Sequence, residues 1–204
     1  MNTSRRAGGL GLLTFGIVTP VAGIIGKLPG GEYIEGEIAK YIASGNWASA
    51  IASAFLAGIA ALGVLIFASW VRHELRSSGD LLWGLAVVGT GLAVTGWFLL
   101  VGLSYAMGGS SVASGVSLPV VYLVEKMAIS VGVVASSLVM GVAAWVLAAR
   151  AALPRWLRVA SYVGALGGLT GVIFMPLYLF WLWAIVFGLW AVMGKASSTQ
   201  SATA

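Results

Sequence analysis

Two adjacent charges, Glu125 and Lys126, are the only ones inside a long apolar run of this 204-residue chain. An ionisable side chain within a membrane span is a ligand or proton site by default, because charge is costly to hold in hydrocarbon. The run, residues 119–149, is longer than the ~20 residues that a crossing needs. If Ala149 marks the inner boundary, the 23 residues from Met127 already cross the core. Glu125 and Lys126 then stand at the outer interface, where long side chains reach water. The spacing therefore favours a structural, interfacial pair, with a ligand or proton site as the competing reading.

Other reactive residue types are sparse. His73 is the single histidine, in the polar stretch Arg72-His73-Glu74-Leu75-Arg76, and reads as a solvated loop residue. Ser77 and Ser78 are its nearest nucleophiles, with no oxyanion device evident beside them. Glu32, Glu35 and Glu37 fall within six residues but lack the ligand spacing of a calcium loop, so they read as an acidic surface. The chain has no cysteine, hence no disulfide and no thiolate chemistry. Pro20 interrupts backbone bonding in an apolar segment and could free a carbonyl for a ligand. The hydroxyls of Thr14, Thr19, Ser53, Thr90, Thr95, Ser130, Ser136, Ser137, Ser161 and Thr170 are expected mostly to bond back to their own helices. No catalytic, metal or cofactor site is expected from these residues.

The elements that must position these side chains are membrane helices. Only 8% of residues are charged, 60% are hydrophobic and the mean hydropathy is +1.01. A soluble domain carries about a quarter charged residues, since water must solvate its exterior. Apolar runs predict an all-α, polytopic bundle of about six spans at 7–26, 48–70, 81–107, 119–149, 156–174 and 177–194. The stretch from Trp156 to Gly194 is too long for one crossing, and Pro176 near its middle marks a tight turn. The first run is expected to stay as an uncleaved helix, because it ends in Gly-Lys-Leu-Pro rather than a small-residue cleavage pattern. Residues 31–42 have apolar positions at helical spacing and read as a short helix on the outer surface. Residues 195–204 read as a disordered cytoplasmic tail.

Cationic loops stay in the cytoplasm. With six spans, one side holds Arg5, Arg6, Arg72, Arg76, Arg150, Arg155, Arg158 and Lys195, against Lys27, Lys40 and Lys126 on the other. The bias predicts both termini inside. The net charge of +5 is spread between spans rather than gathered on a face, which argues against a nucleic-acid partner. Gly164 with Gly168, and Gly167 with Gly171, form overlapping GxxxG pairs, and Gly84, Gly89, Gly91, Gly96 and Gly102 recur in the third span. Such glycines let helices approach closely, chiefly within one molecule and alternatively in a homo-oligomer.

Three stretches carry a resemblance. Glu37-Ile38-Ala39-Lys40-Tyr41-Ile42-Ala43-Ser44-Gly45-Asn46 precedes the second span, Trp70-Val71-Arg72-His73-Glu74-Leu75-Arg76 follows it, and Leu153-Pro154-Arg155-Trp156-Leu157 opens the fifth. With the Trp-rich last helix, Trp181 to Trp190, they resemble uncharacterised six-helix integral membrane proteins common in actinobacteria, known only as a domain of unknown function. The resemblance implies six helices in a bacterial plasma membrane and carries no activity or functional residue. The expected role is a non-enzymatic accessory or envelope component, packed in lipid with itself or with a partner membrane complex. A small-solute carrier or channel is the alternative, although carriers usually place paired ionisable groups near the midplane.

Overall fold

The computed structural model describes residues 3–26, 47–75, 79–108, 118–173 and 176–193. The surface helix expected at 31–42 with its glutamates, the loop serines Ser77 and Ser78, and the tail lie outside the described residues. All regular structure among the described residues is helical: α1 Thr3–Gly26, α2 Trp47–Glu74, α3 Gly79–Gly108, α4 Leu118–Ile129, α5 Ser136–Arg150, α6 Arg155–Leu169 and α7 Leu177–Met193. A π-helical segment, Ser130–Ala135, joins α4 to α5 into one rod, since Ile129 and Ser136 both keep right-handed helical dihedrals. The described residues thus form six rods. Four of them are long and apolar enough to cross a membrane: Thr3–Gly26, Ala48–Glu74, Gly79–Leu103 and Leu123–Arg150. Leu177–Met193 is a shorter apolar helix, and α6 is extended by a 3-10 turn at Gly171–Ile173.

The helices overrun the expected spans because polar residues continue them past the apolar run. α2 extends to Glu74, and α3 begins at Gly79. His73, expected in a loop, therefore stands exposed on the last turn of α2. An exposed ion pair links the end of α2 to the start of α3, with Arg72 Nε 2.7 Å from Asp80 Oδ1. Gly79 lies so close to the Arg72 carbonyl that any Cβ would collide. At the α5–α6 corner, Ala151 turns extended and Pro154 precedes α6, where its fixed φ ends one helix and starts the next.

Packing runs through glycine. Gly11 of α1 meets Gly63 of α2, Gly96 of α3 meets Gly132 of the π segment, and Gly141 of α5 meets Gly168 of α6. In each pair an added Cβ would strike backbone, so the helices are held at a separation only glycine permits. All four glycines of the fifth-span motif are used inside the molecule: Gly164 against Trp183, Gly167 against the Pro176 carbonyl, Gly168 against Gly141, and Gly171 against Ser137. Among the described residues, Gly84, Gly91 and Gly102 of α3 have no neighbour within 4 Å of their Cβ positions.

α1 and α7 run antiparallel. Gly9 packs on Gly188 and Ala191, and Phe15 meets Phe180 edge-on at 5.9 Å. The start of α1 thus lies beside the end of α7. Arg5 makes this junction polar: its Nη2 donates to the Trp190 carbonyl at 3.3 Å, and its guanidinium lies 4.3 Å from the Trp190 ring centroid. A cation at a helix C-terminus answers the partial negative charge of the last carbonyls. Gly8 packs on Trp70, so the end of α2 shares this pole of the bundle.

Candidate functional site

Glu125 and Lys126 sit on α4, and the helix sends them to different environments. Glu125 is only 2% exposed, whereas the Lys126 side chain is 57% exposed. Successive residues point about 100° apart, so one can face a neighbour helix while the other faces out. Glu125, Ala128 and Gly132 recur at spacings of three and four and share a face. That face packs on α3, because Gly96 touches the Ala128 carbonyl and Gly132. The ammonium bends back to the carboxylate, with Nζ 3.9 Å from Glu125 Oε2. The two candidate residues are therefore brought together, with the carboxylate held inside the protein.

Depth can be read along the rod. Glu125 lies 25 residues before Arg150, roughly 38 Å at helical rise. A hydrocarbon core is ~30 Å thick. A membrane boundary at Arg150 would set Glu125 near the opposite boundary, although the carboxylate is buried by protein.

The π segment beginning five residues after Glu125 was not expected from sequence. One residue too many in a helical turn widens it and leaves carbonyls misaligned; such bulges concentrate at functional sites. Here nearby hydroxyls serve them: Ser136 Oγ donates to the Gly132 carbonyl, and Ser137 Oγ donates to the Val134 carbonyl at 3.0 Å. The local sequence Ser-Val-Gly-Val-Val-Ala holds three β-branched residues and a glycine, all poor helix formers, and that was the available signal.

A second polar contact lies deeper. Trp183 Nε1 of α7 donates to Ser161 Oγ of α6 at 2.9 Å, and Ser161 Oγ donates to the Leu157 carbonyl at 2.8 Å. All three residues are buried. The indole brings its own donor into an apolar core and needs such an acceptor. The pair fastens the last hairpin and offers no reactive group. Beside it lies a cavity of about 40 Å³, walled by apolar side chains that include Leu12, Phe15, Phe67, Met140 and Trp183. An apolar void of that kind stays dry.

Among the described residues, no three His, Cys, Asp or Glu side chains come together. The chain matches no family model, no curated protein and no solved structure.

Proposed function

We propose that this chain is a multi-pass protein of a bacterial plasma membrane, crossing six times with both termini in the cytoplasm, and that it serves as a non-enzymatic accessory or envelope component. The observation that carries this reading is the packing. Gly11–Gly63, Gly96–Gly132 and Gly141–Gly168 seat the helices backbone to backbone, and Phe180, Trp183 and Phe187 fill the space between them. Such an interior suits a scaffold that presents its outer faces to lipid or to a partner membrane protein. The antiparallel contact of α1 with α7 supports an even number of crossings. Arg5 and Arg72 at one pole support its cytoplasmic placement. The resemblance to actinobacterial six-helix membrane proteins points to the same compartment.

One observation favours a second reading, a small-solute carrier or channel. Glu125 is a buried carboxylate just before an irregular helical segment, and intramembrane carboxylates mark ion and substrate paths.

Purification in mild detergent with native lipids, followed by identification of co-purifying proteins, tests the first reading. A stoichiometric membrane partner, or a stable homo-oligomer, is the expected result. Purified protein in liposomes that passes a solute, with the flux lost in Glu125→Gln, would replace it with the second.

A further inference from the structure

The inward stripe of α1 contains one polar side chain with an unusual environment. Gly8, Leu12, Phe15, Thr19 and Ala22 recur at spacings of four and three and so share a face. Gly8 packs on Trp70, and Leu12 and Phe15 line the apolar cavity. Thr19 is the next position outward. Its hydroxyl oxygen is buried and has no hydrogen-bond partner among the described residues.

Other helical hydroxyls of this chain behave differently. Thr14, Thr90, Thr95, Ser161 and Thr170 each donate to the carbonyl four residues back, at 2.7–2.9 Å. Thr19 makes no such bond, and the following residue is Pro20, inside an α1 that runs on unbroken to Gly26. Proline has no N–H, so the Gly16 carbonyl loses its ordinary donor four residues on. Gly16 lies one turn from Thr19 on the helix surface. A hydroxyl and a carbonyl, both deprived of the usual partner, therefore lie within one turn of each other on α1.

We propose that this break in α1 is a binding site for one buried water molecule, held by the Thr19 hydroxyl and the Gly16 carbonyl. A buried water needs two to four polar partners, and these residues supply them. Backbone groups freed by proline in membrane helices must be satisfied in place, and an ordered water is one of the means. The water closes the gap that Pro20 leaves in the hydrogen bonding of α1, one turn beyond Phe15 at the edge of the apolar cavity. The assignment is independent of the number of crossings and of any partner.

The test uses the full chain in lipid nanodiscs. Solid-state NMR transfer of polarisation from water to the protein should reach Thr19 and Gly16 early, ahead of Leu12 and Phe15. Thr19→Val should lower Tm by about 2–4 °C, because the water loses an anchor, while Thr19→Ser should melt like the parent. In a Pro20→Ala background, which returns an N–H to the Gly16 carbonyl, the Thr19→Val loss should shrink. Thr19→Val melting at or above the parent would overturn the proposal, since relief of a bare buried hydroxyl gives that result. A lower Tm without early water transfer to Thr19 would overturn it too. Should Thr19→Val fail to fold, the transfer measurement on the parent protein decides alone.

Discussion

At the scale of single residues, Glu125 and Lys126 show how one turn of helix sorts charge. The carboxylate faces α3 and is buried, while the ammonium stays in contact with the outside and bends back to it. A pair with one exposed partner gains little from its Coulomb energy, because solvent screens it. Lys126→Met should therefore change stability by less than about 1 kcal/mol. Glu125→Gln keeps the shape but removes the charge from a buried position, and about 1–3 kcal/mol is expected. A double-mutant cycle in bilayers should give a coupling below about 2 kcal/mol. A larger value would mean that the two behave as a buried, mutually dependent pair, and would move weight to the carrier reading. The sequence picked out these two residues because no other charge lies within an apolar run. It also contained the face: Glu125, Ala128, Gly132 and Ser136 follow helical spacing, and three of the four are small. Burial of the carboxylate was not legible, because that depends on Gly96 arriving from another helix.

At the scale of elements, glycine decides which surfaces meet. Gly168→Leu would drive a side chain into Gly141 and the Ser137 carbonyl. Overpacking of this kind costs about 1–3 kcal/mol or more, so a clear fall in Tm is expected. Gly84→Leu, at an open position of α3, should melt close to the parent. Equal melting of the two variants would refute the glycine contacts. In the last hairpin, Ser161→Ala strands the Trp183 indole N–H, and a loss of about 1–3 kcal/mol should follow. Trp183→Phe added to it should cost less than the two changes summed, since both remove the same bond. The helices themselves were plain in the sequence, as apolar runs broken by Arg, Gly and Pro. The π segment was not: composition hinted at a weak helix in Ser130–Ala135, while the wider turn occurs where Gly132 packs on Gly96 of another helix. The end of α2 also lies farther along than composition implied, because polar Arg72 to Glu74 continue the helix, and Arg72 pairs with Asp80 of α3.

At the scale of the whole molecule, the two end helices of the bundle pack antiparallel, and Arg5 and Arg72 share one pole. Arg5 over Trp190 joins the beginning of α1 to the end of α7, and Gly8 on Trp70 places the end of α2 beside them. Six crossings with both termini inside satisfy that arrangement and the bias of Lys and Arg together. The absence of native cysteine makes the decisive measurement simple. Single cysteines at Thr3, Ala152, Met193 and Pro119 would be treated with a membrane-impermeant thiol reagent in intact cells, and again after permeabilisation. The account predicts that Pro119, at the far end of the rod that ends in Arg150, labels in intact cells. Thr3, Ala152 and Met193 should label only once the membrane is opened. Labelling of Thr3 and Met193 from opposite sides, or of Pro119 and Ala152 from the same side, would contradict it.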